Sequence, residues 1–158
     1  MTFTTRSIGA TDVQVTPLGF GGGPLGQMGS EVSEDQASSL VSTAWESGIR
    51  YFDTAPLYGH GLSEKRLGAG LSGYPRDEFV VSCKVGRLLV PATAENRNPM
   101  SLDTEPFGTC YDYSYDGARR SLEASLQRLG LDQIDILLCH DIDVWTHGAA
   151  QPNVLETA

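Results

Sequence analysis

Apolar positions along the chain alternate between short unbroken runs and stripes with a helical period. Pro17 to Phe20, Ile49 to Asp53, Phe79 to Lys84 and Ile134 to Cys139 are compact runs of strand length, the kind a sheet covered on both faces produces. Helical stripes lie between them. Ala37, Leu40, Val41, Ala44 and Trp45 share one face of a helix that Ser33 caps, with Gln36 placed for a capping box and Glu34 and Asp35 at the positive end of the dipole. Gly48 stops it. Ser63 is the expected cap of a second helix, with Glu64 in its first turn, Leu67 and Leu71 inward, and Gly73 and Pro75 ending it. Ser114 or Asp116 opens a third, where Ala118, Leu122, Leu126 and Leu129 keep the stripe and Gly130 closes it. Strand and helix in strict alternation predict a parallel sheet with right-handed crossovers.

Two segments break the alternation. Phe3 to Ile8 and Val13 to Thr16, joined by Gly9, Ala10, Thr11 and Asp12, read as a β-hairpin that lids one end. Val85 to Tyr113 holds Pro91, Pro99 and Pro106 and keeps no period, so a long loop is expected there, either a lid on the substrate side or a plain insertion. After His140 the tail carries only the beginning of another helix.

The composition narrows the possible partners. The 158 residues suit one domain over 1–158, with 40% hydrophobic and 20% charged positions, an ordinary soluble balance. A formal net charge of -9 leaves no broad basic field for phosphate backbones or anionic lipid, so neither nucleic acid nor membrane is an expected partner. No apolar run approaches the ~18 residues of a membrane span, and the start lacks the apolar stretch of a signal peptide. The cytoplasm is therefore the expected location. Cys83 and Cys139 sit in strand-like runs and read as small buried hydrophobes, whereas Cys110 reads as a free thiol in a loop.

Candidate chemistry gathers at the ends of the runs. Asp53 ends the second, Tyr58 follows it in a loop, Lys84 ends the third and His140 ends the fourth. In a parallel sheet these ends share one edge, so the four side chains are predicted to meet above it. Gly21 to Gly26 formally match G-x-G-x-x-G, but that fingerprint needs a helix starting inside the glycines, and here the helix starts at Ser33. The glycines are then a tight turn, or a close approach to a ligand at Gly22 and Gly23. His60 reads as a turn residue or a support for the site. A local cluster of His140, Asp141, Asp143 and His147 could suggest a hydrolase metal site, yet such sites draw ligands from several strands and this one leaves Lys84 unexplained. No metal is expected.

The stretches VTPLGFGGGPLG, GIRYFDTAPLYGHGLSEKRLGAGL, VVSCKVGR and SLEASLQRLGLDQIDILLCHDID resemble the aldo-keto reductase family, and within it the branch of aldose (L-fucose or D-threo-aldose) and pyridoxal dehydrogenases. The resemblance implies a (β/α)8 TIM barrel, NAD or NADP as cofactor, and the family's tetrad at Asp53, Tyr58, Lys84 and His140. It also implies that Gly22, Gly23 and Asp53 stand beside the cofactor. No Lys or Arg for a nucleotide 2′-phosphate can be named, so both cofactors remain open. A barrel of this kind needs ~250 residues, so the α/β fold expected here is its N-terminal half, preceded by the hairpin.

Such a half-sheet, whether a fragment or free-standing, is expected to expose its edges and to associate through them with another copy. Two functions follow. The first is an oxidoreductase moving a hydride between a nicotinamide and an aldose or other aldehyde, with fucose-type sugars ahead of pyridoxal. The second is a non-catalytic half-barrel acting as a self-associating or accessory subunit. In the first, Tyr58 gives or takes the proton of the substrate oxygen. A free phenol titrates near ~10 and a nearby ammonium favours its ionised form, the part assigned to Lys84. Asp53 holds Lys84, and a neutral His140 orients the substrate oxygen.

Overall fold

The computed structural model describes residues 3–96 and 106–157. A two-residue ladder pairs β1 (Arg6–Ser7) antiparallel with β2 (Gln14–Val15), and Gly9 turns the corner at φ 56°. The hairpin of the sequence is present, though shorter than its β-prone runs.

Four parallel strands follow, β3 (Phe20–Gly21), β4 (Tyr51–Asp53), β5 (Val80–Val85) and, after a second hairpin, β8 (Ile136–Cys139), in spatial order β3, β4, β5, β8. Helix α1 (Glu34–Glu46) lies between β3 and β4 in sequence, α2 (Leu62–Leu71) between β4 and β5, and α3 (Tyr115–Leu129) before β8. Ser33 caps α1 with a complete capping box: the Gln36 N–H donates to Ser33 Oγ at 3.2 Å and the Ser33 N–H donates to Gln36 Oε1 at 2.9 Å. Ala37, Val41 and Ala44 are buried as the stripe predicts, but Leu40 is 43% exposed, because it sits at the margin of that face.

Side-chain alternation divides the sheet into two faces. Phe52, Val81 and Cys83 point toward the helices and are fully buried, and the core of Leu25, Val41, Leu67, Leu71, Phe79 and Leu129 packs with Phe52 and Val81. Tyr51, Asp53, Ser82 and Lys84 occupy the other face. The inner face therefore carries polar groups, and the outer face carries the stability.

Four expectations are corrected. Ser63 does not cap α2: Gly61, at φ 97°, holds that place without a side-chain bond, and Ser63 is turned inward instead. The stretch Val85 to Tyr113 is not a bare loop, since β6 (Arg87–Pro91) pairs antiparallel with β7 (Phe107–Tyr111), Arg87 opposite Tyr111 and Pro91 opposite Phe107. Pro91 closes the ladder at its end and Pro106 precedes β7, so neither interrupts the pairing, which is where an edge tolerates proline. Pro99 lies outside the described residues. On α3, capped by Ser114, the deepest positions are Gly117, Ser121, Ser125 and Leu129, while Ala118, Leu122 and Leu126 are half-buried. Small residues face inward because α2 and α3 approach closely: a Cβ at Gly68 would collide with the backbone of Leu129. Finally, Cys139 is exposed on the edge strand and Cys110 lies within β7 rather than a loop; only Cys83 is buried.

A buried ion pair joins α2 to α3. Glu64 is fully buried, and Arg128 reaches it at 2.5 Å from Nε and 3.3 Å from Nη2. Cys83 lies beneath, 3.5 Å from Glu64 and 3.8 Å from Ser125, and burial first, then the Glu64 charge, push its thiol up to about 12.

Candidate active site

Register places the polar inner residues at one end of the sheet. Asp53 stands opposite Ser82, and Lys84 stands two residues further along β5, opposite Leu138. From there Lys84 Nζ donates to Asp53 Oδ2 at 2.7 Å and to the Thr54 carbonyl at 3.0 Å. Burial draws the Lys84 ammonium down, but the bond and charge of Asp53, helped by Tyr58, outweigh it and hold the group above the ordinary lysine value. Lys84 therefore stays charged.

Tyr58 is half-buried in the loop after β4, held by its N–H on the Ala55 carbonyl at 3.1 Å and by the Ser63 N–H on its own carbonyl at 3.1 Å. Lys84 Nζ lies 5.0 Å from its ring centroid. His140 meets the same ring edge-on, 6.0 Å between centroids at 89°. The structure thus brings together all four residues picked from the strand ends.

His140 follows β8 directly and is 7% exposed. Its N–H donates to the Val85 carbonyl at 2.9 Å, and its carbonyl accepts from Tyr113 Oη at 2.6 Å. Burial pulls its imidazole down to about 4; Asp141, with Oδ2 3.5 Å from Nε2, opposes the shift, while Arg87 and Lys84 reinforce it. It is neutral at neutral pH. Its Nδ1 is buried and has no hydrogen-bond partner among the described residues.

The glycines pack as a collar around these groups. The Gly22 N–H donates to the Asp53 carbonyl at 2.7 Å, Ser63 Oγ donates to the Gly22 carbonyl at 2.6 Å, and Ser63 and Thr54 share a bond of 2.8 Å. A Cβ at Gly22 would strike Asp53 and Ser63, whereas Gly21 and Gly23 would meet nothing within 4 Å. The turn Gly23–Gly26 runs onto the loop of Tyr58, where Gly26 and Gly59 touch backbone to backbone. His60, next in that loop, is buried at φ 52°.

Sequence reasoning assigned Thr54, Ser63, Ser82, Arg87, Tyr113 and Asp141 no part beside the four strand-end candidates. Ser82 could have been found, since it lies two residues before Lys84 and must share its face. Arg87 pairs with Asp141 at 2.7 Å across a wide gap in sequence, and no local pattern marks such a pair. The members of the local His and Asp cluster are engaged elsewhere: Asp143 caps a short helix α4 (Val144–His147) through the Thr146 N–H at 3.0 Å, and His147 Nε2 bonds Tyr113 Oη at 3.0 Å. Among the described residues no group of three or more His, Cys, Asp or Glu could hold a metal ion. No helix there is long and apolar enough to cross a membrane.

The arrangement can pass a proton at Tyr58 beside a fixed positive charge, and can donate a hydrogen bond from a neutral imidazole. A nicotinamide group would find room where Gly21 and Gly23 face open space, and the buried, unpartnered His140 Nδ1 is a polar atom left to be satisfied in the same site.

Known proteins share this sequence and fold. Residues 17–158 match the aldo/keto reductase family. A D-threo-aldose 1-dehydrogenase of Pseudomonas is 45% identical over 148 residues, covering 89% of this chain and 44% of that one. A pyridoxal 4-dehydrogenase of Microbacterium luteolum is 43% identical over 152 residues, covering 90% and 44%. The crystal structure of a putative aldo-keto reductase from Pseudomonas aeruginosa superposes with a TM-score of 0.66 at 31% identity, over 96% of this chain and 54% of that one. The chain spans about half the length of the relatives it matches.

Proposed function

Because this chain belongs to the aldo/keto reductase family, and forms an α/β half of its (β/α)8 barrel behind a β-hairpin, we propose that it serves an NAD(P)-dependent oxidoreductase acting on an aldose or another aldehyde. Within that reading the substrate is a sugar of the fucose or threo-aldose type, with pyridoxal second, and the protein works in the cytoplasm. The observation that carries the reading is the placement of Lys84, 2.7 Å from Asp53 and 5.0 Å from the ring of Tyr58.

The bound nicotinamide supplies the hydride acceptor or donor, and every proton step belongs to the protein. Tyr58 takes the proton of the sugar hydroxyl as the carbonyl forms, or returns it during reduction. Lys84 stabilises the phenolate form of Tyr58 by its charge, and Asp53 keeps the ammonium aimed. Neutral His140 donates a hydrogen bond to the substrate oxygen where negative charge develops. Gly22 and Gly23, with Asp53, would hold the cofactor's reacting end, Gly22 through its backbone alone because Asp53 and Ser63 fill its side-chain space. The expected result is reduction of NAD or NADP by one member of an aldose panel, lost by about 10²-fold or more in Tyr58→Phe. Unchanged turnover in Tyr58→Phe would refute the assignment.

A second reading is favoured by the open edge of the sheet. Leu137 and Leu138 of β8 are each 43% exposed, and β8 has a ladder partner only in β5 among the described residues. As a non-catalytic subunit the half-barrel would cover that strand with a second copy. A discrete dimer in light scattering with no turnover would select this reading; an active protein would eliminate it.

A further inference from the structure

Asp53 has two carboxylate oxygens, and Lys84 uses only one. The other, Oδ1, lies 2.6 Å from Ser82 Oγ, and Ser82 Oγ lies 3.1 Å from Tyr51 Oη. Proton counting fixes the direction of this chain. An ionised carboxylate can only accept and Ser82 has a single O–H, so Ser82 donates to Asp53 and Tyr51 donates to Ser82. The result is a continuous path along the inner wall, from Tyr51 through Ser82 and Asp53 to Lys84.

The wall is built to hold this path. Tyr51 and Asp53 are alternate residues of β4, and Ser82 and Lys84 are alternate residues of β5, so all four side chains leave the same face. Asp53 and Ser82 are direct partners in the ladder. Ser82 is fully buried, and a Cβ at Gly19, just before β3, would come within 2.9 Å of the Tyr51 ring, so a glycine makes room for that tyrosine.

We infer that Ser82 is a positioning residue, which through its bond to Asp53 Oδ1, backed by Tyr51, locks the carboxylate in the one orientation that aims Lys84 at Tyr58. Its consequence for turnover rests on the oxidoreductase reading; the hydrogen-bond chain does not. With Ser82 in place the carboxylate is gripped at both oxygens, and a group held at both ends loses little further freedom when Lys84 is engaged. Without it, Asp53 can rotate about its side chain and the Lys84 pairing becomes one of several. The charged and titratable groups facing Lys84 are Asp53 and Tyr58 from the β4 side and His140 from the end of β8.

The test exploits composition. The sequence has two lysines, Lys65 and Lys84, so carbon-13 lysine labelling gives two ε-CH2 signals, the exposed Lys65 serving as internal reference. In the unaltered chain Lys84 is expected to show inequivalent ε protons and a titration midpoint above the ordinary lysine value. In Ser82→Ala the Lys84 midpoint falls toward the ordinary lysine value and the two ε protons converge, while Ser82→Thr, which keeps the hydroxyl, retains both features. Tyr51→Phe shifts the midpoint the same way by less. If Ser82→Ala folds, with the Lys65 signal and amide spectrum intact, and leaves the Lys84 signal as it was, the inference is overturned. A larger effect from Tyr51→Phe than from Ser82→Ala overturns it as well. Where the protein turns over, Ser82→Ala lowers kcat about tenfold with KM little changed, and threonine restores it. Spectral shifts without turnover in any variant would instead count against the oxidoreductase reading.

Discussion

Acid should destabilise this fold through His140 before it reaches the carboxylates. The imidazole is 7% exposed and its pKa is drawn from 6.5 to about 4, chiefly by burial, with Arg87 and Lys84 adding to the effect and Asp141 opposing it. The folded state therefore takes up the proton later than the unfolded chain does. Between pH 6.5 and about 4 the unfolded chain holds more protons, so stability is full above that window and falls as the pH drops through it. Each pH unit inside the window costs up to ~1.4 kcal/mol, and the whole window roughly 3 kcal/mol. Against a typical total of ~5–15 kcal/mol that loss is easily measured.

The assay is urea unfolding followed by far-ultraviolet circular dichroism at half-unit steps from pH 7.5 to 4, for the wild-type chain and for His140→Asn. The difference curve isolates His140, because contributions common to both chains cancel. Asp112, held low first by its bond from Ser114, and Asp143, held low first by the Thr146 N–H, lose their contributions below the ordinary carboxylate value of 3.8, outside the window. The wild type should lose about 3 kcal/mol more than His140→Asn over this range. Parallel curves would show that His140 is not held neutral by burial, and the hydrogen-bond donor role assigned to it would lose its basis.

Other outcomes follow from the packing. Arg128→Met leaves the fully buried Glu64 without its partner and should cost ~3–5 kcal/mol in urea unfolding, most of it recovered in the double variant Glu64→Gln with Arg128→Met. Ser33→Ala removes one half of the capping box on α1 and should cost about 1 kcal/mol by the same assay. In a native thiol-labelling experiment Cys110, exposed on β7, should react promptly, and Cys83, buried with its thiol pushed up to about 12, should react only after unfolding. Mass spectrometry of the labelled peptides reads the difference directly.

The elements that the sequence made legible are those whose signals are local. The capping box of α1, the Gly130 stop of α3 and the apolar runs of β4 and β5 each depend on residues a few positions apart. The tetrad was legible for a related reason: parallel strands oblige consecutive strand ends to share an edge, so Asp53, Lys84 and His140 had to converge. What failed depended on a distant partner. The β6 and β7 strands carry no period of their own, and only their pairing across the intervening segment orders them. The inward face of α3 was misread because leucines mark a stripe in sequence, whereas the buried positions are Gly117, packed on Asp112, Ser121, Ser125 and Leu129, the last against Gly68 of α2.

The glycine-rich stretch is the tight turn its sequence suggested, and it is packed into the site. Gly22 and Gly26 leave no room for a side chain, since a Cβ at Gly22 would meet the Asp53 carbonyl and one at Gly26 the backbone of Tyr58. Nor is the turn a bland connection. Its carbonyls are gripped by Ser63 at Gly22 and by Arg66 at Leu25, at 2.6 and 2.7 Å, both from α2. Its own N–H holds the Asp53 carbonyl, and its far end carries the loop from which Tyr58 projects. One rigid unit thus fixes the backbone of two of the four candidate catalytic residues, while Gly21 and Gly23 alone face open space. Preorganisation in this site is a property of backbone packing: glycines permit the contact, α2 clamps it, and the chemistry at Tyr58 and Lys84 inherits its precision from both.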